Sequence, residues 1–147
     1  MATYFDTSAL VKRYDAREPG AASVQAFFAS LQTVYTSALT PIEVMSAFRT
    51  KHRTGAFSGN DLKAAIADYR SHSPLDYTLI QAQGITLNEA ERLVLTYKIR
   101  AYDAVHVATA LTIIQVANIN PAQLEFYTGD QDQAVVAQAE GLTVRLI

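Results

Sequence analysis

The sequence predicts an α/β/α sandwich, an α/β fold in which a short, mainly parallel sheet lies between two layers of helices. Two observations predict it: short β-compatible runs recur along the chain, and helical patterns, several of ten or more residues, separate them. Helical crossovers of that length join parallel strands and cover both faces of their sheet. With 147 residues the chain can bury one core but not two, so we predict a single domain over residues 1–147.

The N-terminal elements are two strands, each followed by helical sequence. Residues 2–6 are aromatic and β-compatible and end at an acid, and residues 8–14 continue as a helical segment. After a break at Pro19-Gly20, the apolar spacing predicts a helix over residues 22–31, and residues 33–36 form a second short strand.

A third helix is expected from Thr40 to Gly55. Thr40 is its predicted N-cap, and Glu43 stands three residues later, at the position that closes a capping box. An amphipathic helix over residues 58–70 follows, and Ser73-Pro74 is predicted to end it, because proline disrupts a helix interior.

The remainder of the chain continues the alternation of strands and helices. Its predicted elements are a strand or linker over residues 77–80, a helix opened by a capping box at Thr86, a helix over 101–117, a strand over 124–128, a helix through Val135 and Val136, and a strand over 142–147. The pattern contains no internal repeat or linker.

Several features exclude a membrane or disulfide-bonded protein. The longest apolar stretch, residues 101–117, is interrupted by polar residues, and no basic region followed by an apolar run begins the chain. We therefore expect neither a membrane span nor a secretory signal. Since the chain has no cysteine, disulfides and thiolate chemistry are excluded, and a cytoplasmic protein is expected.

The net charge of −2 would by itself argue against a nucleic-acid partner, because phosphate binding usually leaves a basic footprint. The distribution of charge indicates otherwise, since seven of the twelve Lys and Arg residues lie near Asp6, Glu43 or Asp103 in the sequence. These cations are Lys12, Arg13, Arg49, Lys51, Arg53, Lys98 and Arg100. Such an arrangement could hold a polyanion over an acidic metal site.

Four carboxylates, those of Asp6, Glu43, Asp103 and Asp130, are candidates for that site. Asp6 and Asp130 follow predicted strands, whose carboxyl ends line the functional crevice of a parallel sheet. Each acid also has a structural alternative: Asp6 and Asp130 as N-caps, Glu43 in a capping box, and Asp103 as a first-turn acid favoured by the helix dipole. Asp103 is the hardest to explain structurally, because an unpaired charge among apolar neighbours costs several kcal/mol.

Converging carboxylates suit phosphodiester hydrolysis. The reaction needs charge stabilised on the phosphoryl oxygens, a water made nucleophilic at neutral pH, and a leaving oxygen whose developing charge is offset; one or two divalent cations supply all three. Magnesium prefers carboxylate and water oxygens. With no cysteine and only three histidines, a zinc site is not expected.

Four segments contain the candidate acids. They are Phe5-Asp6-Thr7-Ser8-Ala9-Leu10-Val11-Lys12, Pro41-Ile42-Glu43-Val44, Ala101-Tyr102-Asp103-Ala104-Val105-His106-Val107-Ala108-Thr109-Ala110 and Thr128-Gly129-Asp130. Any single segment is a weak signal, since short patterns such as D-x-S and T-x-D occur by chance in many proteins. In this order, along the whole chain and on an α/β pattern, the four segments resemble the PIN domain, specifically VapC-type toxins.

The resemblance implies a metal-dependent endoribonuclease in which Asp6, Glu43, Asp103 and Asp130 ligate Mg²⁺ or Mn²⁺. It also implies that Ser8 orients Asp6 or contacts the phosphate of the RNA substrate. Dimers are implied as well and, in many members, inhibition by a small antitoxin protein that inserts a side chain near the carboxylates. A homodimer and an antitoxin partner are therefore expectations for this chain.

Several other residues are weaker candidates. Asp132 is either a fifth metal ligand or a solvated first-turn acid, and His106 is either a general base or a packed, hydrogen-bonded histidine. Tyr14, Tyr35 and His52 are candidates for contact with single-stranded RNA.

Two other functions stay open at this point. A catalytically inactive PIN-like module would use the same fold to bind RNA or a protein. A receiver-type phosphoacceptor domain also uses acids at strand ends together with magnesium. It expects adjacent acids after the first strand, which Asp6-Thr7 does not supply.

Overall fold

The computed structural model describes all 147 residues and contains one five-stranded sheet. The strands are β1 (Ala2–Phe5), β2 (Val34–Ser37), β3 (Tyr77–Ile80), β4 (Leu124–Thr128) and β5 (Thr143–Leu146). The helices are α1 (Thr7–Leu10), α2 (Ala21–Ala29), α3 (Thr40–Arg53), α4 (Gly59–Asp76), α5 (Gly84–Thr96), α6 (Ala101–Ala117) and α7 (Gln131–Ala139), with 3₁₀ helices at Val11–Tyr14 and Pro121–Gln123. None of the helices is both long and apolar enough to cross a membrane.

The strand order is β3-β2-β1-β4-β5, and every neighbouring pair is parallel. This confirms the predicted α/β class, with a sheet that is parallel throughout. The chain builds the sheet from β1 outward in one direction and then returns to β1 and builds outward in the other. Such a reversal opens a crevice at the carboxyl ends of the two central strands, here β1 and β4.

Two apolar cores cover the two faces of the sheet. Successive residues of a strand point to opposite faces, so Tyr4 packs with α5, α6 and α7, whereas Phe5 packs with α1 to α4. Strand β4, which pairs with β1, adds an aromatic side chain to each core. Tyr4 stacks on Phe126 with ring centroids 5.3 Å apart, and Phe5 stacks on Tyr127 with ring centroids 4.5 Å apart. The end of β1 is therefore held between two packed layers.

Two predicted helix starts are wrong. Leu39, rather than Thr40, is the N-cap of α3; Thr40 is buried, and its hydroxyl lies 2.7 Å from that of Thr36. Helix α5 begins at Gly84 after Gln83, and Thr86 is buried instead of capping the helix. In both cases a threonine that matches a capping pattern is drawn into the interior by packing, which outweighs a local preference of about 1 kcal/mol.

Pro74 does not end α4, which continues to Asp76. Proline removes only its own N–H, and so close to the end of the helix this interrupts a single backbone hydrogen bond. The segment predicted as one helix over residues 8–14 is instead α1 followed by a 3₁₀ helix. Residues 77–80, predicted as strand or linker, are the edge strand β3.

Candidate active site

A cavity of about 550 Å³ opens at the carboxyl ends of β1 and β4. Helices α3 and α6 form two of its walls. The predicted acids Asp6, Glu43, Asp103 and Asp130 all line it, together with Ser8. Four acids from four separate segments of the chain therefore meet in one place, whereas Asp132 is exposed and does not line the cavity.

Asp6 lies at the floor of this cavity and is only 1% exposed. It is the N-cap of α1, since its Oδ1 accepts the N–H of Ala9 at 2.8 Å. The hydroxyl of Ser8 donates to both carboxylate oxygens at 2.7 and 2.9 Å, and that of Thr128 donates to Oδ2 at 2.5 Å. Asp6 thus combines the capping role with a place in the site, and three donors hold its orientation.

Ser8 also joins the two central strands. Its Oγ accepts the backbone N–H of Gly129 at 2.8 Å while its hydroxyl hydrogen serves Asp6. Gly129 follows β4 directly and precedes Asp130. The contact therefore ties the end of β1 to the segment that carries Asp130, as a residue that orients the carboxylates would do.

Glu43 projects from α3 and closes no capping box. Its Oε1 accepts the hydroxyl of Thr7 at 3.0 Å and lies 2.8 Å from Nε2 of His106 on α6. The other ring nitrogen of His106, Nδ1, lies 2.8 Å from the hydroxyl of the buried Tyr4. His106 is itself 2% exposed and hydrogen-bonded at both ring nitrogens.

Asp103 and Asp130 share one hydrogen-bonding partner, Gln133 of α7. The side-chain Nε2 of Gln133 donates to Oδ1 of Asp103 at 3.1 Å, and its backbone N–H donates to Oδ1 of Asp130 at 3.1 Å. Asp130 is accordingly the N-cap of α7. The side chain of Gln133 is buried, and its Oε1 has no hydrogen-bond partner.

The acids of the cavity repel one another. Burial raises the pKa of Asp6, and the opposing effects of His106 and of the hydrogen bonds from Thr128, Ala9 and Ser8 do not cancel the rise. Burial also raises the pKa of Asp103, and the negative charges of Asp130 and Asp6 raise it further. His106 and Arg100 lower it by less. The cavity therefore favours any species that supplies positive charge, a proton or a cation.

Three of the seven cations near these acids in the sequence are occupied within the chain. Lys12 is buried, donates to the carbonyl of Pro19 at 2.6 Å and lies 3.6 Å from Glu18. Arg13 pairs with Asp76 at 2.8 Å, and Lys51 pairs with Asp15 and Glu18. These side chains stabilise the fold. The cations without a carboxylate partner are Arg49, Arg53, Lys98 and Arg100, all exposed.

The sequence model of the PIN domain matches residues 3–138, which is most of the chain. The chain belongs to the PIN domain family. Comparison with curated proteins gave no significant match.

Three solved structures with a similar fold are a toxin, a toxin–antitoxin complex and a member of a toxin–antitoxin family. VapC20 of Mycobacterium tuberculosis, a toxin that cleaves the sarcin-ricin loop, is similar with a TM-score of 0.62 and 20% identity, over 98% of this chain and 99% of that one. A toxin–antitoxin complex from Klebsiella pneumoniae contains a chain with a TM-score of 0.61 and 20% identity, over 99% and 96%. VapBC-5 of Mycobacterium tuberculosis, of the VapBC toxin–antitoxin family, gives 0.56 and 15%, over 100% and 98%. At these identities the likeness shows the fold.

The donor set of this PIN domain fits a hard divalent cation. Carboxylate oxygens are ligands that magnesium and manganese prefer, and the unpartnered Oε1 of Gln133 is a further oxygen near Asp103. No three His, Asp or Glu side chains converge closely enough to enclose an ion by themselves. Magnesium usually binds one or two carboxylates directly and keeps several of its waters, so these acids would hold it partly through water.

Sequence reasoning missed the residues that orient the acids. Thr7, Thr128, Gln133 and Tyr4 carry ordinary side chains in ordinary patterns, and only their spatial neighbours assign them to the site. For Thr128 a signal existed, since it begins the segment Thr128-Gly129-Asp130 that resembles the PIN domain. Of the tyrosines that are candidates for contact with RNA, Tyr14 is half-buried, and its hydroxyl lies 2.5 Å from that of Tyr77 and 3.0 Å from Nδ1 of His72.

Proposed function

We propose that this chain is a metal-dependent endoribonuclease, a VapC-type toxin that hydrolyses RNA phosphodiester bonds. The observation that carries the proposal is the meeting of Asp6, Glu43, Asp103 and Asp130 in one cavity at the switch point of a PIN domain sheet. Burial and the negative charges of Asp130 and Asp6 raise the pKa of Asp103, which makes the folded protein less stable at neutral pH, so a structural purpose alone does not account for this arrangement.

The side chains have distinct roles in this proposal. Asp6, Asp103 and Asp130 hold Mg²⁺ or Mn²⁺, and Glu43 completes the set of acids. Bound there, the ion stabilises charge on the phosphoryl oxygens and lowers the pKa of water. Ser8 and Thr128 fix the orientation of the Asp6 carboxylate with hydrogen bonds of 2.5 to 2.9 Å.

The remaining acids are oriented from neighbouring elements. His106, in line with Tyr4, holds Oε1 of Glu43 at 2.8 Å, and Gln133 holds Asp103. Loss of such a supporting contact typically lowers metal affinity or activity 10- to 100-fold. Because the two ring nitrogens of His106 lie 2.8 Å from Tyr4 and from Glu43, we assign His106 the role of positioning the carboxylate rather than that of a general base.

A cleavage assay on purified protein tests the proposal. The wild type is incubated with single-stranded RNA in Mg²⁺, in Mn²⁺ and in excess chelator, beside the double variant Asp6→Asn/Asp103→Asn. The control Asp68→Asn makes the same chemical change at an exposed aspartate on α4. We expect cleavage only with metal, loss of cleavage in the double variant and full activity in the control.

Cleavage that persists in chelator, or in the double variant, would refute the proposal. Metal-independent RNA binding without cleavage of any substrate would indicate a PIN-like binding module instead. Asp132→Asn belongs in the same series, because an unchanged rate would remove Asp132 from the candidate ligands.

We also propose a small antitoxin protein as the partner of this chain, which acts in the cytoplasm as a homodimer. Support for the antitoxin comes from fold neighbours that are members of toxin–antitoxin systems. Co-expression with the product of a small adjacent reading frame should abolish cleavage and yield a complex that copurifies. Light scattering should give twice the mass of the 16.1 kDa chain; a monomer at micromolar concentration would refute the dimer.

A further inference from the structure

Tyr102 is the one aromatic side chain of the chain that is exposed. It is 64% exposed, whereas every phenylalanine and every other tyrosine is buried or half-buried. A single exposed apolar side chain is ordinary on a protein surface. Tyr102 differs by its position, because it lines the cavity of the four carboxylates.

The start of α6 places Tyr102 at the mouth of that cavity. The residue directly precedes Asp103 and lies one turn before His106, and all three line the cavity. On the wall formed by α3, Ile42 stands directly before Glu43 and is 70% exposed. Each wall therefore carries an exposed apolar side chain beside one of its carboxylates.

A free cation accompanies Tyr102. Arg100 is exposed, stands immediately before α6 and forms no salt bridge, in contrast to Lys12, Arg13 and Lys51. Its positive charge acts on the cavity, since it is among the groups that lower the pKa of Asp103. An aromatic face and an unpaired guanidinium thus lie within three residues of a proposed metal ligand.

We infer that Tyr102 is a stacking platform for one base of the single-stranded RNA substrate and that Arg100 contacts a neighbouring phosphate. The inference rests on the proposed function and specifies how its substrate is held. Unpaired bases stack readily on exposed aromatic rings, and the backbone follows positive charge. A base fixed beside Asp103 brings the adjacent phosphodiester over the carboxylates. Stacking is tolerant of base identity, so this contact supplies affinity and register rather than a full recognition sequence.

The test measures stacking directly, apart from cleavage. A short single-stranded RNA containing 2-aminopurine is titrated with protein in Ca²⁺, and a gel verifies that the RNA stays intact. The series is wild type, Tyr102→Phe, Tyr102→Ala and the control Val116→Ala, which truncates a 77% exposed side chain at the far end of α6. Because Tyr102 and Val116 are exposed, all variants should keep the thermal stability of the wild type.

We expect the wild type and Tyr102→Phe to quench the fluorescence of the probe equally, because phenylalanine retains the ring. Tyr102→Ala should lose the quenching and bind about 5- to 150-fold more weakly, while Val116→Ala behaves as the wild type. Arg100→Gln should reduce the slope of log affinity against log salt by about 0.7, whereas Lys63→Gln, an exposed cation on α4, should not change it.

The inference is overturned if Tyr102→Ala keeps wild-type affinity and quenching, or if the wild type does not bind the probe. It is also overturned if the substitution weakens only the capture of an antitoxin, which would make this surface a protein interface. Cleavage assays separate the two proposals: RNA cleavage by the wild type with an unchanged KM in Tyr102→Ala refutes the platform alone. Absence of metal-dependent cleavage of any RNA refutes the proposed function.

Discussion

Replacing Asp103 by asparagine should stabilise the protein in chelator and remove most of its response to metal. Burial and the charges of Asp130 and Asp6 oppose ionisation of Asp103, and a neutral amide is free of that repulsion. In the wild type, Nε2 of Gln133 lies 3.1 Å from Oδ1 of Asp103, and the amide of asparagine keeps an oxygen for this contact. The amide also adds an N–H that can donate to the unpartnered Oε1 of Gln133. One recovered hydrogen bond is worth about 1 kcal/mol, or roughly 2–4 °C in Tm for a chain of this size.

Metal should reverse the order of stability. A ligand that binds only the folded state contributes about 2.7 kcal/mol at a concentration of 100 times Kd, which corresponds to roughly 5–11 °C for the wild type. Asp103→Asn lacks one of the proposed ligands and should gain far less. The variant is therefore expected to melt higher than the wild type in chelator and lower in saturating Mg²⁺ or Mn²⁺.

The dependence on pH gives a second check. A carboxyl whose pKa is raised in the folded state binds its proton more tightly there than in the unfolded chain, so its contribution to stability is greatest at low pH and is lost as the pH rises through the folded pKa. The part of the advantage of Asp103→Asn in chelator that comes from removing the charge should thus vanish below the ordinary carboxyl pKa of 3.8 and be complete at neutral pH.

Thermal unfolding followed by circular dichroism, in chelator and across a metal titration, measures all three effects. Asp68→Asn serves as the control and should leave both curves unchanged. The reasoning fails if the wild type shows no metal-dependent rise in Tm, or if Asp103→Asn gains as much from metal as the wild type does.

Three further predictions concern the supports of the fold and of the site. Ser8→Ala removes the hydroxyl that donates to Asp6 and accepts the N–H of Gly129, and it should weaken metal affinity about 10- to 100-fold in a titration. An unchanged affinity would contradict the orienting role. Lys51→Met leaves the side chain of Asp15, which is 6% exposed, with Arg17 as its only cationic partner. The substitution should lower the free energy of unfolding by about 2–4 kcal/mol in urea. A loss below about 0.5 kcal/mol would show that the Lys51–Asp15 pair is dispensable. Phe48→Ala opens a cavity at a fully buried position and should cost about 3–5 kcal/mol in the same assay, a loss near zero being incompatible with its packing.

Much of the fold could be predicted from local pattern. The strand over residues 124–128 and the helix over residues 101–117 coincide with β4 and α6, because apolar periodicity and flanking polar residues act within a few positions. Local rules failed where tertiary packing opposed them. Thr40 and Thr86 match capping patterns but are buried, and Pro74 lies in the final turn of a helix that continues past it.

The candidate acids could also be found in the sequence, since strand ends and helix starts are where such sites occur in parallel sheets. The two readings of Asp6 and Asp130 prove compatible, because both residues cap a helix and line the cavity. The roles of the basic side chains were predicted less well. Proximity in sequence suggested that Lys12 and Arg13 are free for RNA, whereas both are paired within the chain.

What the sequence by itself determined is the alternation of strands and helices, the family pattern and the four candidate acids. Only the tertiary structure decided which groups hold those acids. Tyr4 and His106 are 102 residues apart, and Glu43 and His106 are 63 apart. A sequence pattern indicates the structure of a few neighbouring residues, whereas contacts between residues so far apart in the sequence depend on the order of strands in the sheet. That order, with β1 at the centre, brings Glu43 to His106 and leaves Tyr102 exposed at the mouth of the cavity.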